Sequence, residues 1–358
     1  MAVASCGKKK KKDESTTNAD GSTKLTAVTS VAELGLSSAL NISVPAAYSK
    51  AATSLSLTAA KKSQDACRIG EPISQVSDNI NQVGNFFCHI EVEKAKIKFG
   101  TKYNVTAKGE AFAQIWIDNS LAADNKITMY MCEEGKLQQK IDISGIIMGA
   151  DGKPTGVKGS VQNLGAEGTY TWASSVTFDK GFTAAALDVS SQDKYTDSAT
   201  SGTFARAVKM TLYDSEDTVS KVSMSSSGTW GGQSFSQKAY GLGASKFGQT
   251  IFYDKGTYQG STFEHTQRAY FNSAGEVVAA DASALLAATG SLYVKATDLP
   301  EFLAANFTPD APAGWDCSGT TETVDLDPES AEHNACSGKN QSSQSSCWDA
   351  TYESGAAE

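Results

Sequence analysis

The feature that most constrains the fold of this chain is a two-residue alternation of apolar and polar side chains that begins near residue 94. In the first run, Ile97 and Phe99 alternate with Lys96 and Lys98. Successive side chains of a β-strand point to opposite faces, so the pattern predicts strands with one buried and one solvated face. Similar runs follow at roughly ten-residue spacing: 110–118, 126–132, 136–143, 156–162, 169–178, 204–213, 218–226, 233–240, 249–253, 257–268 and 269–271.

Turn-forming segments separate many of these runs. They are Asp118-Asn119, Asp124-Asn125, Asp151-Gly152-Lys153-Pro154, Asp179-Lys180-Gly181, Asp214-Ser215-Glu216-Asp217, Asp254-Lys255-Gly256 and Asn272-Ser273-Ala274-Gly275. Strands joined by tight turns without intervening helices indicate an antiparallel meander. The chain is therefore predicted to be mainly β, as a large curved sheet, an open barrel or a sandwich. Trp116, Trp172 and Trp230 are expected in its core.

One amphipathic helix is predicted ahead of the strands. Apolar residues recur there at spacings of four and three: Ile69, Ile73, Val76, Ile80, Val83, Phe87 and Ile90. Pro72 suits the first turn of a helix, where a missing N–H costs nothing. We expect this stripe to pack against the sheet.

Changes in composition divide the chain into four segments: 1–24, a lipid anchor and flexible tether; 25–92, an N-terminal extended and helical segment; 93–305, the antiparallel β domain; and 306–358, a cysteine-containing acidic tail. In the tail, Asp325, Asp327 and Glu329 alternate as in a weak calcium loop. The glycine and terminal glutamate of an EF-hand are missing, so this stretch is interpreted as a solvated acidic loop.

A short motif stands at the amino terminus. Val3-Ala4-Ser5-Cys6 consists of an aliphatic residue, two small residues and a cysteine, followed by Gly7 and a lysine run, 8–12. It resembles the lipobox of bacterial lipoproteins, in which small side chains flank the cleaved bond and the cysteine thiol carries diacylglycerol. Gly7, directly after the cysteine, resembles the residue found in lipoproteins that are sorted to the outer membrane. The resemblance implies export, lipidation of Cys6 and an outer-membrane anchor, on either the periplasmic or the surface side.

Seven cysteines leave six once Cys6 is set aside: Cys67, Cys88, Cys132, Cys317, Cys336 and Cys347. An even remainder suits an exported, oxidised protein and permits fifteen pairings. If the helix is straight, Cys88 lies more than ~20 Å from Cys67, too far for a bond. A Cys88–Cys132 bond is therefore expected, with the remaining tail cysteines stapling the tail.

Charge and motif content exclude several classes of function. A net charge of -9 and a pI near 5.0 leave no basic face for phosphates, so no nucleic-acid partner is expected. The three histidines, His89, His265 and His333, are scattered and no Cys-x-x-Cys pair occurs, so neither a metal site nor a cofactor is predicted.

No catalytic residues are predicted. The chain has no Gly-x-Ser-x-Gly elbow. Glu264 and His265 are adjacent in a predicted strand, where their side chains point to opposite faces. The expected function is a non-catalytic, outer-membrane-anchored binding or structural surface module with an apolar ligand, a glycan or a protein as partner. There are three alternatives: an open-barrel carrier of lipids or other hydrophobic ligands on the periplasmic side, a membrane-associated β-barrel, and a hydrolase. A helix packed against a meander resembles the first of these in architecture.

Overall fold

The computed structural model describes residues 17–24, 31–40, 62–93, 97–118, 126–183, 185, 187–212, 220–243, 247–272, 317, 322–326, 330, 332, 335–336, 352–353 and 356–357. It describes the backbone alone at 31, 62–74, 111–112, 220, 240, 242–243, 247–254, 265–272, 352–353 and 356–357. No helix in this described part of the chain is long and apolar enough to cross a membrane.

One sheet of fourteen strands dominates the fold. Its centre is an antiparallel meander in chain order: β2 (Lys102–Ala107), β3 (Glu110–Ile117), β4 (Ile127–Glu133), β5 (Lys136–Met148), β6 (Pro154–Glu167), β7 (Tyr170–Lys180), β8 (Leu187–Asp197), β9 (Gly202–Leu212), β10 (Ser220–Trp230), β11 (Gln233–Gly243), β12 (Phe247–Tyr258) and β13 (Ser261–Asn272). The predicted mainly-β meander is confirmed.

Two strands from the tail line the edges of this meander. β14 (Glu322–Leu326) pairs in parallel with β2, and β16 (Ala356–Ala357) pairs antiparallel with β13. A separate parallel pair joins β1 (Lys62–Ser63) to β15 (Tyr352–Glu353). The tail therefore satisfies hydrogen-bonding groups on both edge strands of the meander.

Three helical elements precede the meander. They are a 3-10 turn at Val31–Leu34, α1 (Leu36–Ala39) and α2 (Gln64–Val92). The predicted amphipathic helix is confirmed by α2. Its stripe residues Val76, Ile80, Val83, Phe87 and Ile90 are each no more than 2% exposed and belong to one core with the sheet. Each such side chain contributes about 1.5–3 kcal/mol by its burial.

Gly84 allows α1 to approach α2 closely. A Cβ at Gly84 would lie 3.1 Å from the Leu40 side chain and 3.3 Å from the Leu40 carbonyl oxygen. Glycine lowers the helix propensity at this position, but it permits the close packing of Leu36 and Leu40, which are fully buried.

The face of the sheet on which α2 packs, here called the inner face, carries the core. Alternate residues such as Val161, Val176 and Val208 are fully buried there. They occupy cross-strand neighbouring positions, with Ser191 of β8 between Val176 and Val208. The opposite, outer face carries exposed residues such as Thr177 and Lys209.

Two disulfides tie the tail to the body. Cys88 of α2 bonds Cys336, with Cα atoms 5.6 Å apart, and Cys132 of β4 bonds Cys317, with Cα atoms 5.7 Å apart. The stapled tail is confirmed, but the expected Cys88–Cys132 bond is wrong. The tail returns to the sheet as β14, and its cysteines thereby reach both partners. Cys347 and the side chain of Cys67 lie outside the described residues.

Residues 17–24, assigned by sequence to the tether, lie against β5 and β6. The Thr23 amide donates to the Ile146 carbonyl at 2.7 Å, and the Thr23 hydroxyl accepts from the Met148 amide at 3.0 Å. The ammonium of Lys158 contacts the Asp20 carboxylate at 2.6 Å. Hydrogen bonds from Lys158 and Ser22 hold the pKa of Asp20 well below its ordinary value. Residues 1–16, including Cys6, lie outside the described part.

Two features of the meander differ from the sequence predictions. Strand β8 was missed, because its inward positions run Ser191, Asp193, Tyr195 and Asp197 rather than a series of apolar residues. The turn predicted around Gly256 is wrong, since Gly256 lies inside β12 and the chain turns at Gln259–Gly260.

Candidate functional site

A row of polar side chains crosses the inner face between α2 and the hairpin turns. Cross-strand register joins Gln139, Asn163, Ser174, Asp193, Arg206, Ser226 and Gln237, one from each strand from β5 to β11. We call this the polar row. Each member lies two residues along its strand from the neighbouring core position, so it faces the same side.

Members of the polar row are hydrogen-bonded to one another. The Gln139 amide nitrogen donates to the Asn163 side-chain oxygen at 2.7 Å, and the Asn163 amide nitrogen donates to the Ser174 hydroxyl at 3.1 Å. Farther along, the Ser226 hydroxyl donates to the Gln237 side-chain oxygen at 3.2 Å. Such cross-strand bonds satisfy part of the row and hold its remaining donors and acceptors in fixed positions.

Arg206 joins the row to the helix. Its Nε and Nη2 donate to one carboxylate oxygen of Asp193 at 3.0 and 2.7 Å, and Nη2 also donates to the Gln75 side-chain oxygen at 2.7 Å. The side chains of Arg206 and Asp193 are only 12% and 7% exposed. The two charges therefore cancel within the site, and the contact with Gln75 sets the position of α2 over the sheet.

A second row, of aromatic residues and glycines, lies two residues nearer the hairpin turns along each strand, and we call it the aromatic row. Register joins Gly165, Trp172, Tyr195, Phe204, Gly228, Phe235, Gly256 and Phe263 across strands β6 to β13. The ring centroids of Tyr195 and Phe204 are 5.7 Å apart, and those of Phe204 and Phe235 are 6.0 Å apart. The rings are thus in contact across several strands.

The glycines of this row leave room for the rings. The Trp172 indole lies over Gly165, and a Cβ at Gly256 would lie 2.8 Å from the Phe263 ring. A Cβ at Gly202 would similarly lie 2.6 Å from the Trp230 ring. An aromatic side chain that covers a cross-strand glycine replaces the packing that the glycine lacks.

Large aromatic side chains are exposed along this end of the sheet. Tyr170, Trp230 and Tyr258 lie next to the hairpin turns on the same face, and Trp230 and Tyr258 are 53% and 59% exposed. With Trp172, Tyr195, Phe204, Phe235 and Phe263 they form what we call the aromatic platform. All the large apolar side chains that are exposed in the described part of the chain belong to it.

A pocket of about 370 Å³ lies between α2 and the first strands of the meander. Its apolar lining comes from Phe86, Met131, Ala107 and Leu326, and its polar lining from Gln82, Asn85, His89 and Gln139. Gln139 is also the first member of the polar row, so the pocket and the polar row are contiguous. Cys88 and Cys132, whose disulfides hold the tail, are sequence neighbours of two lining residues.

Tyr195 stands between the polar row and solvent. Burial, followed by the charge of Asp193, raises the pKa of Tyr195 above its ordinary value, with Arg206 opposing this shift. The phenol is 42% exposed and is protonated at neutral pH, so it can donate a hydrogen bond to a ligand beside the exposed rings.

Neither a family model, nor a curated protein, nor a solved structure matches this chain. The geometry of the inner face must therefore carry the functional argument.

The sequence-derived candidates fall in different places. Trp116 lies on the outer face, where it stacks on Tyr130 at 5.5 Å. The expectation that Trp172 and Trp230 are core residues is wrong, since they are 39% and 53% exposed. Both lie past the edge of the core, where a glycine on the adjacent strand supports each ring.

Of the residues considered for catalysis or metal binding, those with described side chains lie in different places. His89 lines the pocket, whereas the side chain of His265 and the whole of His333 lie outside the described residues. Glu264 contacts Lys255 at 3.4 Å on an exposed surface. Among the described residues, no group of three His, Cys, Asp or Glu side chains is arranged to hold a metal ion.

Sequence reasoning missed both rows. Their signal was present as polar and aromatic residues at alternate positions near the strand ends, but only register shows that these positions adjoin. The glycines at 165, 228 and 256 were the best available sign, because glycine inside a strand marks close approach of another group.

Proposed function

We propose that this protein is an exported, non-catalytic binding module, anchored to the outer membrane through Cys6, that holds its ligand on the aromatic platform and the polar row. The observation that carries the proposal is the gathering of all the exposed large apolar side chains of the described residues at one end of one face. Monomeric proteins rarely expose contiguous apolar surface without a binding role.

The composition of the platform supports binding. Trp and Tyr offer large rigid contact areas at low entropic cost, and they carry a polar group at one end. Here the rings are held in place by cross-strand glycines and by each other, so a ligand need not order them. The charged pair Arg206–Asp193 is already internally satisfied, which suits recognition rather than acid–base chemistry.

The binding proposal is tested with the full chain, fluorescently labelled, on cell-envelope fractions and on whole cells of its own host and neighbours. Trp172→Ala and Trp230→Ala should each lower retention at least tenfold. Trp116→Ala and Lys209→Ala, on the outer face, serve as matched controls and should bind as the parent does. Thermal melts establish that all four variants fold. Equal retention of all variants would refute the proposed site.

The anchor has its own test. Mass spectrometry of the protein purified from its host should show a diacylglyceryl modification on Cys6, and Cys6→Ser should release the protein from membranes. The Cys88–Cys336 and Cys132–Cys317 disulfides support an oxidising compartment. An unmodified Cys6 in the host protein would contradict the anchor while leaving the binding site standing.

A second candidate function is favoured by the pocket beside α2. Its volume of about 370 Å³ and its lining by Phe86, Met131 and Leu326 suit a small apolar ligand. A carrier of this kind should retain its ligand on purification. Native mass spectrometry followed by organic extraction should then detect it, and Met131→Trp, which fills the pocket, should abolish retention without affecting the aromatic platform.

A further inference from the structure

The aromatic row is long enough to bind several units of an extended polymer. It crosses eight strands, β6 to β13, and at a strand spacing of 4.7–4.9 Å it spans about 33 Å. It runs across the strands rather than along one of them, so a ligand that follows it meets one new strand at each step.

The aromatic row and the polar row differ in chemistry along their whole shared length. The polar row lies two residues, or about 7 Å, inward of the rings. A ligand that follows both rows must therefore have an apolar face and edges dense in hydrogen-bonding groups. Asn163, Ser174, Asp193 and Ser226 are at most 9% exposed, whereas Gln139, Arg206 and Gln237 are half-buried. An acyl chain that covered these three half-buried side chains would leave their solvated donors and acceptors without partners, which is costly once water is displaced.

The charge of the site favours an uncharged ligand. No member of the aromatic row is charged, and in the polar row the described charges, those of Arg206 and Asp193, neutralise each other across 2.7 Å. Around the platform, Glu167 and Asp197 are acidic and lie near the turns. A polyanion would therefore find no unpaired cation among the described side chains of the two rows to offset its desolvation.

We propose that the aromatic platform and the polar row bind an uncharged saccharide chain laid across the strands. Pyranose rings present an apolar C–H face that stacks on Trp and Tyr rings and equatorial hydroxyls that hydrogen-bond with amide, hydroxyl and carboxylate groups. An extended chain of such rings advances by about one strand spacing per ring. This inference rests on the proposed binding function and names its ligand class.

The length of the aromatic row predicts how affinity depends on the number of sugar rings in the ligand. With rings stacked along a row of about 33 Å, affinity should rise with each added sugar and level off at roughly seven rings. A site for one terminal sugar would instead saturate at one or two rings.

The inference is tested by isothermal titration of the full chain with neutral oligosaccharides of two to nine rings, from glucan, mannan and chitin series. Hyaluronate serves as the polyanion, and phosphatidylcholine vesicles serve as the lipid. At least one neutral series should bind, with affinity rising up to about seven rings. Trp172→Ala should weaken its binding at least tenfold, whereas Trp116→Ala and Lys209→Ala should leave it unchanged.

Three results would overturn the inference: no binding by any neutral series, binding confined to hyaluronate or vesicles, or unchanged saccharide affinity in Trp172→Ala. The envelope-retention assay separates this failure from failure of the proposed function. If Trp172→Ala loses envelope retention but no neutral saccharide competes, the binding module stands and its ligand class is wrong. If Trp172→Ala keeps full retention, both fail.

Discussion

The indole ring of Trp172 lies over the α-carbon of Gly165, its direct cross-strand neighbour on β6. A methyl group at position 165 would occupy the same space as the ring. The glycine therefore determines where the indole lies, and through it the shape of the first part of the aromatic platform.

Gly165→Ala should move the Trp172 ring outward. Because the ring is partly exposed and can swing into solvent, we expect a modest destabilisation of about 1 kcal/mol, a red-shifted tryptophan emission and several-fold weaker ligand binding. Ala166→Ser, one residue along and on the opposite face, is the control. An unchanged emission spectrum in Gly165→Ala would show that the ring does not rest on this glycine.

Gly228→Ala should be more damaging. A Cβ there would overlap the carbonyl oxygen of Thr203 and lie 2.8 Å from the Phe235 ring. The Thr203 oxygen belongs to the backbone of β9 and cannot move aside, so we expect a loss of about 2–3 kcal/mol in the free energy of unfolding. The exposed neighbour Ser227→Ala should change it by less than about 0.5 kcal/mol. Urea titration of both variants measures the difference, and similar values would contradict this register.

Arg206→Met should destabilise strongly, because it leaves the carboxylate of Asp193 buried and without its cation. We expect a loss of about 3–5 kcal/mol. The double variant Arg206→Met with Asp193→Leu should recover much of it. Lys255→Met, which breaks an exposed pair with Glu264, should cost at most about 1 kcal/mol. A double-mutant cycle by urea unfolding checks the coupling, and additive single losses would mean that the two residues act separately.

Each tail disulfide should contribute to stability. The bonds close sequence separations of 248 residues for Cys88–Cys336 and 185 for Cys132–Cys317. Replacing either pair by serine should lower the free energy of unfolding by about 2–5 kcal/mol. Cys6→Ser, which removes neither of these two bonds, should leave it unchanged. Peptide mapping without reduction tests the pairing directly, and a Cys88–Cys132 peptide would contradict the structure.

Acid should loosen the tail strand β14. Asp325 accepts hydrogen bonds from the Thr106 hydroxyl at 2.6 Å and from the Gly109 amide at 2.8 Å, and these bonds hold the pKa of Asp325 below its ordinary value. A carboxylate with a lowered pKa stabilises the fold above its unfolded pKa of about 3.9 and ceases to do so as the pH falls through its folded pKa.

Hydrogen exchange provides the measurement for Asp325. The Lys108 amide donates to the Leu326 carbonyl, so its protection reports whether β14 is docked. Protection should fall as the pH is lowered below about 4, after correction for intrinsic exchange. In Asp325→Asn the pH dependence should be smaller and protection at neutral pH lower. An identical pH profile in both proteins would exclude Asp325 as the cause.

Strand β8 shows why part of the fold escaped sequence analysis. Its inward residues Ser191, Asp193 and Tyr195 are polar because they belong to, or adjoin, the two rows, and a period-two search for apolar residues does not detect them. Gly256 was interpreted as a turn for a related reason. Its small size serves the Phe263 ring on the next strand, a partner that local sequence does not reveal.

The amino-acid sequence by itself determined the antiparallel meander and the packed helix, because strand alternation and the four-and-three helical stripe are properties of neighbouring residues. The tertiary structure alone decided which strand positions adjoin, and therefore that Trp172, Tyr195 and Phe204 form one surface and that Cys88 meets Cys336. Cross-strand register and disulfide pairing relate residues that are distant in sequence. They depend on how turns, bulges and the return of the tail align whole strands, and periodicity along one strand specifies its face but not its neighbours.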